Sequence, residues 1–167
     1  MNREELFAAY RATEFHIEGR DGPFVMKIGE HSNAALFRKG SPSVNNGVFI
    51  TAHNPHSVLT SNTENEAANS RLAHRISCIP PRVNQRDSYG GPGAIRVTGG
   101  VGRDPKGLWP DEPGFFFTYG LPVEYVLPFA LEFGQNAFVF LTSSGIPQLI
   151  EVDHVSRQLR SSTSTPA

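Results

Sequence analysis

Apolar and polar positions alternate with a period of two over Thr13–Glu18 and again over Phe24–Ile28. That period puts every second side chain on one face, so it predicts two half-buried strands. Gly19-Arg20-Asp21-Gly22-Pro23 lies between them and supplies the turn chemistry of a hairpin. Ahead of the hairpin, Leu6, Phe7 and Tyr10 share one side of a short helix over Glu4–Arg11. A second short helix is expected over Ser32–Arg38, stopped by Gly40, followed by a loop over Ser41–Gly47. Gly47–Ala52 is apolar on both faces, the pattern of a central strand. It runs into Thr51-Ala52-His53-Asn54-Pro55, a polar stop at a strand end, where rigid scaffolds present ligand-binding groups.

The strongest helical pattern covers Ser61–Ile76. Ser61 and Glu64 have the spacing of a capping box. Asn62, Asn65 and Asn69 share a stripe with Leu72 and Ile76, so the inward face changes from carboxamide to hydrocarbon along one helix. A buried carboxamide without a partner costs about 1–3 kcal/mol, so the polar half should face partners or a wet pocket. Beyond it, Ile79–Gly93 reads as a long loop, Ala94–Thr98 as a strand, Gly99–Pro113 as a loop and Phe115–Tyr119 as an aromatic strand. Pro122–Phe133 predicts a helix that Pro128 kinks or delays, with Gly134 at its left-handed cap. Asn136–Leu141 and Ile146–Val152 form a last hairpin. Residues 1–154 read as one domain and 155–167, rich in Ser and Thr, as a disordered tail.

Composition narrows the class. With 15 basic and 16 acidic residues the net charge is −1, so no global field draws in nucleic acid or acidic lipid. A single cysteine excludes an intrachain disulfide and fits a reducing compartment. No apolar leader opens the chain, and no run approaches the roughly 20 apolar residues of a membrane helix. The expectation is a soluble, cytoplasmic protein.

Several chemistries fail on detail. Gly99-Gly100-Val101-Gly102-Arg103-Asp104-Pro105-Lys106-Gly107 is glycine-rich, but Leu108 stands where a phosphate loop needs Lys and then Ser or Thr. His53 and His56 are separated by Pro55 and lack a carboxylate or cysteine at ligand spacing, so no metal and no cofactor is expected. Cys78 reads as a packed residue, and no Gly-x-Ser-x-Gly elbow occurs. Trp109-Pro110-Asp111-Glu112 sets an indole beside two carboxylates before the aromatic strand; the plainer alternative is a Trp covering a sheet edge. Gln135 and Asn136 either satisfy carbonyls at the helix end or read the edge of an amide-bearing ligand.

Four ordered motifs, Thr51-Ala52-x-Asn54-Pro55, Glu64-Asn65, Gly102-x-Asp104-Pro105-x-Gly107-x-Trp109-x-x-Glu112 and Phe133-Gly134-Gln135-Asn136-Ala137, resemble the bacterial family DUF3293, of unknown function. The resemblance spans about residues 8–152 and implies a small bacterial or phage-borne protein without assigning an activity.

The fold expected is a single α+β domain, a mixed or largely antiparallel sheet with helices mainly on one face. The first functional reading is a pocket for a neutral polar molecule, nucleoside-like or amide-bearing, lined by Thr51, Asn54, Asn65, Asn69, Trp109, Glu112, Gln135 and Asn136. A second is a hydrolase or transferase with Glu112 or Asp104 as general base and Asn54 or Gln135 holding an oxyanion. A third is a module for a protein partner, marked by exposed aromatics at Phe115–Tyr119 or in the 79–93 segment.

Overall fold

The computed structural model describes residues 2–19, 22–32, 46–79, 82–86, 92–93, 96–118, 122–142 and 144–161. The short helix and loop expected over Ser32–Arg38 and Ser41–Gly47 fall almost wholly outside these residues, as do Tyr119 and most of the 79–93 segment.

Helix α1 (Arg3–Ala12) opens on Asn2, whose side chain accepts from the Glu5 N–H while the Glu5 carboxylate accepts from the Asn2 N–H. Strands β1 (Glu14–Ile17) and β2 (Phe24–Lys27) then pair as the expected hairpin. Strand β3 (Gly47–Ile50) is buried throughout and lies between two partners, as a strand apolar on both faces must. Helix α2 (Asn62–Ser77) starts at the Ser61–Glu64 capping box.

The chain continues through β4 (Arg82–Arg86), β5 (Pro92–Gly93), β6 (Arg96–Arg103), β7 (Glu112–Thr118), α3 (Leu127–Glu132), β8 (Ala137–Leu141), β9 (Pro147–Asp153) and β10 (Gln158–Ser161). Eight strands form one antiparallel sheet in the order β10-β9-β8-β3-β7-β6-β1-β2, and β4 pairs with β5 apart from it. The architecture is α+β.

The alternation of strand residues builds a core on each side of this sheet. Val48, Ile50, Phe117, Phe138 and Ile150 face Leu72 and Ile76 of α2 and Val126, Ala130 and Phe133 around α3. Phe49, Phe116, Val139, Leu141, Phe15, Ile17 and Met26 pack on the opposite face. Helix α1 covers that second face, tied to β9 by Arg3 and Arg11, which reach Glu151 at 2.8 and 3.6 Å. Among the described residues no helix is long and apolar enough to cross a membrane.

Four expectations are corrected. The loop expected from Gly99 is instead the second half of β6. Gly100 serves packing there: a Cβ on it would stand 2.7 Å from Ile17 Cδ1 and 3.0 Å from Phe49 Cε2. The 79–93 segment holds the β4–β5 pair, whose register shifts between Arg82 and Arg86, an irregularity that hid any period of two. The tail expected from residue 155 begins with β10, which pairs with β9 from Gln158↔Asp153 to Ser161↔Ile150; residues 162–167 lie outside the described set. Cys78 is exposed at the end of α2 rather than packed. Pro128 delays the last helix: Val123–Val126 form a 3-10 turn, and Pro128 is the second residue of α3.

Leu72 is fully buried where α2 meets the sheet. Leu72→Ala should lower unfolding stability by about 2–5 kcal/mol. Urea denaturation checks this, and a loss much below that range would mean that α2 is not packed as described.

Candidate functional site

Leaving β3, the chain takes three left-handed residues within four positions: Asn54 (φ 48°), His56 (φ 56°) and Ser57 (φ 58°). Residues other than glycine adopt this conformation only when their surroundings hold them there. The holders come from three directions. From α2, Asn69 Oδ1 accepts from the Ala52 N–H at 2.8 Å and Asn65 Oδ1 from the Asn54 N–H at 2.8 Å. Thr60 joins them, its hydroxyl donating to Asn65 Oδ1 and its N–H to Asn54 Oδ1. From the end of α3, the Gly134 carbonyl accepts from the His56 N–H at 2.6 Å, and Gln135 Nε2 donates to the His53 carbonyl at 3.0 Å. From the start of β8, Asn136 Nδ2 donates to Ser57 Oγ at 2.9 Å.

Gly134 closes α3 in a Schellman arrangement, with Gln135 N–H on the Ala130 carbonyl and Gly134 N–H on the Leu131 carbonyl. Its φ is +63°, and a Cβ there would come within 2.9 Å of both Pro55 Cβ and His56 Nε2. Glycine is therefore required twice over, by the helix cap and by the approach of the loop.

A second loop reaches the same place. Asp104 accepts the N–H groups of Lys106, Leu108 and Trp109 at 3.0, 2.8 and 3.2 Å, and those bonds, the one from Lys106 above all, hold its carboxyl below the usual range. The pinned Trp109 donates its indole N–H to Glu112 Oε1 at 2.8 Å, and Asn54 Nδ2 donates to the same oxygen at 2.7 Å. Burial pushes the Glu112 carboxyl above the usual range, and the hydrogen bonds from Trp109 and Asn54 pull it back only in part. Among the described residues no donor reaches Glu112 Oε2.

Glu112 lines a cavity of about 590 Å³ between α1 and the sheet. Phe15 on β1, Phe49 on β3, Val139 on β8 and Leu149 on β9 line it opposite Leu6 and Ala9 of α1. In a flat sheet, β1 and β9 would lie about 24 Å apart at about 4.8 Å per strand, so the sheet curls around the space. Tyr10 and Ser57 also line it, their hydroxyls sharing a hydrogen bond of 2.5 Å. Burial pushes the Tyr10 phenol up, and the Glu112 charge acts in the same direction. Burial also lowers the proton affinity of His53, another lining residue.

Of the residues singled out in the sequence, Thr51, Asn54, Asp104, Trp109, Glu112 and Gln135 line this cavity. Asn65, Asn69 and Asn136 stand behind it. Asn69 Nδ2 and Thr51 Oγ1 both donate to the Pro113 carbonyl at 2.7 Å, so the amides of α2 brace the loop and β7 rather than face open space. Sequence reasoning missed Tyr10, Ser57 and the walls. Tyr10 had been placed on the helix face correctly, but nothing local tells which partner that face meets. Among the described residues no three His, Cys, Asp or Glu side chains gather as a metal site would require.

A family model described as a protein of unknown function, DUF3293, matches residues 50–138, a span that holds all four sequence motifs and is narrower than 8–152. No curated protein and no solved structure matches the chain.

Asn65→Ala removes the acceptor of the buried Asn54 N–H and should cost about 1–3 kcal/mol, whereas Asn62→Ala on the exposed first turn of α2 should stay within about 0.5 kcal/mol. Equal urea midpoints for the two variants would remove the bracing role of Asn65. Glu112 adds a pH signature. Its folded pKa is raised, so the folded chain binds the extra proton, and the resulting stability is complete below the usual carboxylate pKa and lost as pH rises through the folded value. Glu112→Gln should abolish that part of the decline, measured by denaturant unfolding from acid to neutral pH.

Proposed function

The chain belongs to the DUF3293 family, and we propose that it binds a small molecule with an apolar body and one polar end. One observation carries the reading: Glu112, whose second carboxylate oxygen takes no donor among the described residues, lines a cavity of about 590 Å³ with largely hydrocarbon and aromatic walls. Cavities of this size, with few convergent polar groups, are the usual form of small-molecule sites. The amides that pointed to a neutral polar, nucleoside-like or amide-bearing ligand are mostly engaged in holding the 51–60 loop. The polarity left for a ligand is concentrated at Glu112, Tyr10 and Ser57, so the proposed ligand is more apolar than that first reading.

A catalytic reading draws on the same carboxylate. A general acid or base works best with a pKa near the working pH, and burial shifts Glu112 in that direction. Asp104 is the weaker candidate, because its oxygens are engaged by three backbone N–H groups. A protein-partner role draws little support from the aromatic strand, since Phe116 and Phe117 are buried.

Trp109 is the sole tryptophan and lines the cavity, so its emission should report occupancy. A fragment screen by thermal shift should yield compounds that also change Trp109 fluorescence. Ala9→Phe, on the exposed side of α1 but lining the cavity, should weaken those compounds about tenfold or more by filling the space. Absence of any stabilising compound, or undiminished binding in Ala9→Phe, would overturn the pocket reading. Mass spectrometry of the recovered compound separates binding from turnover.

A further inference from the structure

The charge balance around this cavity defines the ligand further; the inference rests on the pocket reading. Among the described residues three carboxylates line the space, those of Glu5, Asp104 and Glu112, against the single ammonium of Lys106. Lys106 is exposed and acts on Asp104, whose loop it belongs to. His53 adds no fixed positive charge, because burial disfavours its protonated form.

Glu112 itself takes part in none of the ion pairs among the described residues. The nearest arginine in sequence, Arg103, is engaged by Asp111 at 2.9 Å. A carboxylate taken largely out of water without a counter-charge is a costly arrangement, and a partner of opposite charge relieves it. The two donors that Glu112 does have, Asn54 and Trp109, are neutral and crowd onto Oε1. Oε2 is left for a third donor arriving through the cavity.

The walls favour the same partner. Trp109, Tyr10, Phe15 and Phe49 all line the space, and aromatic faces attract a cation through their quadrupoles while rejecting an anion. Leu6, Val139 and Leu149 supply the hydrocarbon surface for the remainder of the molecule.

We infer that the ligand is an organic cation, a protonated amine or amidine on an aromatic or branched aliphatic body, with its N–H groups on Glu112 Oε2. The Tyr10 hydroxyl, already within the field of the Glu112 carboxylate, flanks the head group. An anion of the same shape is repelled by Glu112, and a neutral analogue leaves its charge uncompensated.

Three probes with one phenyl body and different heads test this: phenethylamine, phenethyl alcohol and hydrocinnamate, titrated calorimetrically into the intact chain near neutral pH. Phenethylamine should bind about tenfold or more tightly than the alcohol, with hydrocinnamate weakest. Glu112→Gln, which keeps an acceptor oxygen for Asn54 and Trp109, should erase the advantage of the amine over the alcohol. If that variant fails to fold, the series on the unaltered protein decides. Alcohol or acid binding as tightly as the amine overturns the cation and leaves the pocket standing. No binding of any probe, with no change in Trp109 emission, overturns both.

Discussion

Every feature of the site depends on how the backbone is held between Ala52 and Thr60. Three left-handed residues without glycine's freedom cost about 1–3 kcal/mol each when isolated. The compensation is a set of short hydrogen bonds from Asn65, Asn69, Gln135, Gly134 and Asn136, reaching the loop from two helices and a strand. Once fixed, the loop delivers the Asn54 side chain to Glu112 and the Ser57 hydroxyl to Tyr10. The strain is therefore located where the chain must turn polar atoms toward a cavity against their local preference. An unstrained turn at this place would release Asn54 from the carboxylate.

This arrangement explains why four motifs far apart in sequence occur together. Asn54, Asn65, Glu112 and Gln135 are joined to one another or to the same loop by hydrogen bonds. None of the four has its function alone. A carboxamide is well suited to such a hub because it both donates and accepts: Asn65 accepts at Oδ1 from the Asn54 N–H while its Nδ2 donates to Asn54 Oδ1 at 3.1 Å.

Much of the fold was legible in local pattern. The two-sided burial of Val48-Phe49-Ile50 gave away a central strand, and the Ser61–Glu64 box marked the start of α2 to within a residue. The amide-to-hydrocarbon change along α2 indicated partnered burial at Asn65 and Asn69, because a carboxamide is tolerated inside only when satisfied; Asn62, placed on the same stripe, is exposed on the first turn. What failed had a common cause. The glycines of β6 look like loop punctuation, yet Gly100 makes room for Ile17 of β1 and Phe49 of β3, a tertiary requirement that no local window contains. β10 was missed for a similar reason: its polar sequence pairs at a sheet edge, where solvent is tolerated on the exposed side. The residues of the candidate site stood out as motifs, while the walls of the cavity did not, because Phe15, Phe49 and Leu149 meet only through the curl of the sheet.

The clasp between Arg3 and Glu151 joins positions 148 residues apart, and Leu149 beside it forms part of the cavity wall. During synthesis α1 emerges long before β9, the strand it is clasped to. Contacts of such sequence separation carry a large loop-closure cost and form late. A nascent chain released after Ala137 would contain every family motif, and its first helix would lack β9, the strand that Arg3 and Arg11 clasp.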